Sequence, residues 1–234
     1  MKRFWTDVTY EEAPDGGWRV LLDGRVIRTQ GGAEQVLPSE PLAQTLAREW
    51  AAQGEEVDPA AFPHRDLADY AIDQVAADRA GAIAKLLAFA ETDTLSYRAD
   101  PEDALYRRQQ EVWEPILRAF ESREGVEMPR ISGIVHRKPV AYTMQRLRER
   151  LEAMDDFTLA ALGPLASLPA SLTIGLSAIE PDADIAALWD AANLEEAWQA
   201  EQWGTDAEAL ERLERRRSEF ETAAAFARAA RSDP

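Results

Sequence analysis

GGWRVLLDGRVIRT, residues 16–29, decides how the chain begins. Trp18, Val20 and Leu22 alternate with Gly17, Arg19 and Leu21, the period of two expected of a half-buried strand. Asp23 and Gly24 then supply the positive-φ residues that a two-residue hairpin turn demands. Asp15-Gly16-Gly17 and Gly31-Gly32 punctuate the surrounding sequence, so that residues 3–38 read as a meander of about four strands. The chain opens on a small antiparallel sheet.

Working outward, LPSEPLAQTLAREWAAQG (37–54) has Ser39 as N-cap, Pro41 in the first turn and Gly54 after the last helical residues. Leu42, Leu46 and Trp50 fall on one stripe, which fits a helix covering one face of the sheet. EEVDPAAFP (55–63), with Pro59 and Pro63, reads as a linker. From Asp66 onward the pattern is helical: residues 102–122 with Pro115 as a kink or break, an extended or looped stretch over 125–139, then helices again. The fold class is α+β, with an N-terminal β-rich domain over 1–60 and a larger helical domain over 61–234.

Between Phe157 and Ile179 no residue is charged, a length that could span a bilayer. Gly163, Pro164, Pro169 and Gly175 interrupt it, and acids rather than lysine or arginine flank it. The sequence favours two short helices meeting at LGPLASLP, buried in a bundle, and no stable membrane insertion. Residues 182–203 read as one helix with Ile185, Leu188, Trp189, Ala192 and Trp203 on one side. Ala187, Ala191, Leu194, Trp198 and Glu201 fall on the other. After Gly204, Thr205 and Glu208 have the spacing of a capping box.

The 234 residues carry 43 acids against 26 lysines and arginines, a formal charge of -17. Such a field repels phosphate backbones, so nucleic acid is not an expected partner. With no cysteine, disulfides and thiolate chemistry are absent. His64 and His136 stand far apart and outside any metal-binding spacing, so neither a metal nor a cofactor is expected. The basic N-terminus lacks an apolar run behind it, and the expectation is a cytoplasmic protein.

Two constellations could carry function. In EEAWQAEQWGTDAEAL (195–210), Trp198 and Trp203 bracket Glu201, with Leu194 on the same stripe as Trp198. Glu201 reads as a docking contact, as a charge paired with an arginine of its own chain, or as a catalytic acid. The last wants a second titratable group nearby, and none appears. In ETDTLSYRADP (91–101), Thr92, Asp93, Tyr97 and Arg98 offer directional hydrogen bonds. They serve either as satisfied connectors at helix ends or as the site of a small-molecule enzyme lying between the domains.

RFW near the start, GGWRVLLDGR, REWAAQ, AID at 71–73, TDTLSYR, RQQEVWEP, DDFTLAAL and WQAEQWGTDAEA resemble, in this order, the ATP-twelve family. That family comprises assembly chaperones for the α subunit of the F-type ATP synthase. The likeness runs from about Arg3 to Glu208, and HRDLADYAID is more charged on its approach to the AID residues than is usual there. It implies a β domain followed by a helical domain, and no catalysis. It further implies a monomer that binds the unassembled α subunit and shields its β-facing surface until the catalytic head assembles. The family's glutamate falls on Glu201, which favours docking there. Eukaryotic relatives work in the mitochondrial matrix; this chain resembles a bacterial, cytoplasmic member.

Overall fold

The computed structural model describes residues 2–133 and 137–231. β1 (Val8–Glu12), β2 (Trp18–Leu22) and β3 (Arg25–Val26) form an antiparallel sheet in the order β1-β2-β3. The hairpin turn falls where the sequence placed it: Leu22 pairs with Arg25 across Asp23 and Gly24, whose φ values are 48° and 76°. Two expectations need correction. Val20, Leu21 and Leu22 are all buried, so strict alternation fails at the end of β2, which is covered on both faces. The sheet has three strands rather than about four, because residues 27–38 contribute only isolated bridges, Trp18 with Leu37 and Arg28 with Glu34.

Helix α1 (Glu40–Ala51) is capped by Ser39, whose Oγ accepts from the Leu42 N–H and donates to the Ala229 carbonyl. After α2 (Pro63–Tyr70) the chain runs through one π-helical stretch, Ala71–Val75, into α3 (Arg79–Glu91). The remaining elements are β4 (Tyr97–Arg98), α4 (Ala104–Glu124), β5 (Ile131–Ser132), α5 (Ala141–Glu152) and α6 (Asp156–Ser167). Then come α7 (Leu172–Ala178), α8 (Ile185–Ala192), α9 (Leu194–Trp203) and α10 (Ala207–Ala230). A small N-terminal antiparallel sheet followed by a larger helical portion is the architecture read from the sequence.

The chain forms two compact units. The first comprises the chain up to Arg79, the segment Asp155–Ala161 and the chain from Thr222 onward. Its aromatic centre packs Trp5 edge-on against Trp50 at 5.0 Å, and Trp50 against Phe62 at 4.6 Å. There Asp69 accepts from the Gln35 side-chain amide (2.6 Å) and the Gln30 N–H (3.1 Å). Asp73 accepts from the Thr29 hydroxyl (2.7 Å) and the Gly31 N–H (2.8 Å). Four residues apart on one helical face, the two carboxylates pin the loop that follows the hairpin. A Cβ on Gly31 would lie 2.7 Å from the Asp73 carboxylate, so any larger residue there must displace that side chain.

The second unit comprises Ala80–Met154 and Leu162–Glu221. α4 continues through Pro115, which neither breaks nor ends it; the helix stops at Gly125, in the left-handed region at φ 66°. The looped stretch after it holds β5, paired in parallel with β4. The uncharged segment is divided at 168–171, beyond Pro164, and its second part, α7, is buried at all but Ser177. A Cβ on Gly175 would come within 3.2 Å of the Ala166 Cβ and backbone N, so small residues set this close approach. Among the described residues no helix is long and apolar enough to cross a membrane.

Candidate functional site

The helix expected over 182–203 is two helices, α8 and α9, because Asn193 leaves the helical conformation and its side-chain amide donates to the Trp189 carbonyl at 2.8 Å. A single 100° wheel therefore does not hold across it. Leu188, Trp189 and Leu194 are buried, whereas Trp203, assigned to the same side as Trp189, is 79% exposed. Leu194 thus lies within its own unit's packing, and Trp198 is half-buried.

α4 positions α9. The Trp113 Nε1 donates to the Ala191 carbonyl at 2.7 Å, and Gln109 Nε2 donates to Glu195 Oε1 at 2.6 Å. One position before Gln109, Arg108 donates to both Glu201 oxygens at 2.6 and 2.8 Å, while its guanidinium lies 5.6 Å from the Trp198 ring centre. This fork-to-fork pair with a ring beneath it is a geometry only arginine provides. The hydrogen bonds from Arg108 hold the Glu201 carboxyl below the usual carboxylate range. Glu201 therefore has the intrachain arginine partner that the sequence left open, yet half of its side chain is exposed.

Beyond Glu201 the chain turns sharply at Gly204, φ 79°, and α10 begins. Its cap is Asp206, whose carboxylate accepts from the Ala209 N–H at 2.7 Å, so the capping box at Thr205 and Glu208 does not form. Between α9 and α10 opens a cleft of about 610 Å³. Trp203, Leu210, Leu213 and Ala200 give it apolar walls, with Glu196, Glu201, Asp206, Arg212 and Arg216 on it as charged groups. Leu210 is 53% exposed. An exposed tryptophan and leucine at a charged rim can seat an apolar side chain of a partner and orient it by ion pairs.

Sequence reasoning missed Arg108, Leu210 and Leu213. ERLERRRSEFE (211–221) reads as a solvated face, and an i, i+4 pair, Arg217 with Glu221, forms on it. Leu210 and Leu213, three apart beside the Gly204 corner, were the available signal. For Arg108 there was none, since its partner lies 93 residues away.

The 91–101 constellation is built inward. Asp93 is fully buried: it accepts from the Ser171 hydroxyl (2.7 Å), the Thr173 N–H (2.9 Å) and the Leu95 N–H (3.1 Å). It ties this loop to the first turn of α7. Burial pushes its carboxyl above the usual range, against these hydrogen bonds. Arg98, also buried, donates to the Gln109 carbonyl at 3.0 Å and lies 5.1 Å from the Trp113 ring centre. Thr92 is exposed, and Tyr97 is half-buried in β4. The Gln109 side chain accepts from the Ala99 N–H at 2.8 Å while donating to Glu195, so one buried amide links the loop to α9. His136 lies outside the described residues, and among those described no group of acids and histidines could hold a metal ion.

The description "ATP12 chaperone protein" matches residues 2–121. The mitochondrial protein atp12 of Schizosaccharomyces pombe is 27% identical over 217 residues, which cover 88% of this chain and 74% of that protein. The crystal structure of Atp12 from Paracoccus denitrificans matches with a TM-score of 0.93 at 35% identity, over 98% of each chain. A point mutant of the same bacterial protein matches equally. The class defined by this fold is that of a chaperone. The chain belongs to the ATP12 chaperone family, which acts in ATP synthase assembly.

Proposed function

We propose that this chaperone acts without catalysis, as a cytoplasmic monomer, by holding the unassembled α subunit of the ATP synthase head in the cleft between α9 and α10. The observation that carries the proposal is the exposure of Trp203 and Leu210 beside the Arg108–Glu201 pair. An isolated subunit of a ring exposes apolar interface that self-associates unless covered. Trp203 and Leu210 cover part of the β-facing surface, and Glu201 meets a cationic group at its edge. The net charge of -17 speeds encounter with a basic patch. The β subunit competes for the same surface and releases the client, so no nucleotide is consumed.

The test is co-purification with α and β subunits expressed separately, using wild type, Trp203→Ala and Glu201→Lys. Because Trp203 and Glu201 are exposed, both variants should keep the wild-type circular dichroism. Wild type should capture free α and not β, and each variant should capture less. Capture of β instead, or capture unchanged in both variants, would remove the proposal.

A further inference from the structure

A second surface, on α3 and α5 of the second unit, differs from the rest of the molecule in charge. Residues 137–150, RKPVAYTMQRLRER, hold five basic residues and one acid, within a chain whose formal charge is -17. Here a groove of about 390 Å³ is lined by Ala84, Leu87, Ala88 and Glu91 of α3 and by Met144, Gln145 and Arg148 of α5. At its edge Lys138 pairs with Glu91 at 2.6 Å, both partly exposed. Val140 and Tyr142 are each 61% exposed at the start of α5. Arg146 is engaged with Glu149, and Arg150 approaches Glu124 and Glu180 at 3.5 Å. Arg148 has no carboxylate in ion-pair range among the described residues.

We infer that this groove is a second docking surface, and that its occupant is an acidic amphipathic helix of a protein partner. The two alanines on α3, four residues apart, leave room for an incoming apolar side chain against Leu87 and Met144. A carboxylate one turn along that helix meets Arg148, and another displaces Glu91 from Lys138. The charge balance selects the class of partner. An extended polyanion, whether nucleic acid or lipid surface, meets the whole -17 field. A helix of a few turns senses chiefly the groups within a screening length of about 8 Å. At this groove Glu91 is already paired with Lys138, which leaves Arg148 as the charge a carboxylate can meet. The surface is independent of which subunit the α9–α10 cleft holds.

The test is fluorescence anisotropy of the full chain with a labelled designed peptide carrying leucine and glutamate at helical spacing. A peptide of the same composition in scrambled order serves as control, with Arg148→Glu and Ala88→Phe as variants. Both substitutions lie on the exposed side of their helices, and circular dichroism checks the fold. The patterned peptide should bind at least about tenfold tighter than the scrambled one, and each variant should lose about tenfold. Equal binding of the two peptides, or no loss in either variant, would overturn the assignment. A single-stranded oligonucleotide or an anionic phosphatidylserine vesicle binding more tightly than the peptide, with loss in Arg148→Glu, would overturn it in favour of those partners. Concentration-dependent dimerisation abolished by Arg148→Glu would overturn it in favour of a second copy of this chain.

Discussion

Arg108 holds both oxygens of Glu201 from a position 93 residues earlier, so the acid that the ordered motifs single out already has a cation. An exposed pair of this kind contributes little to stability. Its effect is to fix where the Glu201 carboxylate stands at the cleft, with the Arg108 guanidinium held over the half-buried Trp198 ring. That separates two roles for Glu201, one met by Arg108 and one that requires negative charge at this position on the surface. The swapped variant Arg108→Glu/Glu201→Arg restores the pair with its charges exchanged. If the carboxylate itself meets the client, capture of α in co-purification should stay as low in the swap as in Glu201→Lys. Recovery of wild-type capture would show that pairing alone matters.

Asp93 should behave as a structural latch. Its Oδ1 accepts from Leu95 and Ser171 and its Oδ2 from Thr173, with no solvent access. Asparagine at this position must turn a donor toward one of those donors. Asp93→Asn should therefore destabilise by about 2–3 kcal/mol, whereas Thr92→Ala, on an exposed neighbour, should change stability by less than about 0.5 kcal/mol. Urea denaturation midpoints of the two variants check this. A small effect at Asp93 would reopen the loop as a functional site.

The hairpin was legible because its signals are local: Asp23-Gly24 at the turn and an apolar run beside it. The two short helices within the uncharged stretch were legible for the same reason, with the break at 168–171 overlapping the end of LGPLASLP. What failed depended on a side-chain bond back to the helix or on distant partners. Asn193 interrupts a helix that apolar periodicity alone would continue, and Trp203 then leaves the side it shared with Trp189. Pro115 sits in a long helix packed along α8 and α9 through Trp113 and Gln109, and that packing outweighs the one lost backbone hydrogen bond. The glutamate of the candidate site was visible from the ordered motifs, while its arginine and the apolar walls of the cleft needed coordinates.

Gly31 and Asp73 make a contact with no room to spare. A Cβ on Gly31 would lie 2.7 Å from a carboxylate that already accepts from Thr29 and from Gly31 itself. Gly31→Ala should cost about 1–3 kcal/mol through forced displacement of that carboxylate. Asp73→Ala should lose its own hydrogen bonds, and the double variant should be less destabilised than the sum of the singles. Thermal or urea unfolding of the three variants decides this; strict additivity would mean that Gly31 and Asp73 do not constrain each other.

Asp69 gives the first unit a pH dependence of definite sign. Burial holds its carboxyl above the usual range, opposed by the hydrogen bonds from Gln35 and Gln30. Between the unfolded aspartate value, about 3.9, and the raised native value, the folded chain keeps a proton that the unfolded chain has lost. Stability from this group is therefore full below the unfolded value and is lost as pH rises through the native one. Asp69→Asn removes the titration while keeping the shape. Wild type should lose stability more steeply than the variant as pH rises from about 4. Taking the difference of the two urea-midpoint profiles cancels the contribution of Asp93, which has the same sign in both. Parallel profiles would mean that Asp69 titrates in the folded chain as it does in the unfolded one.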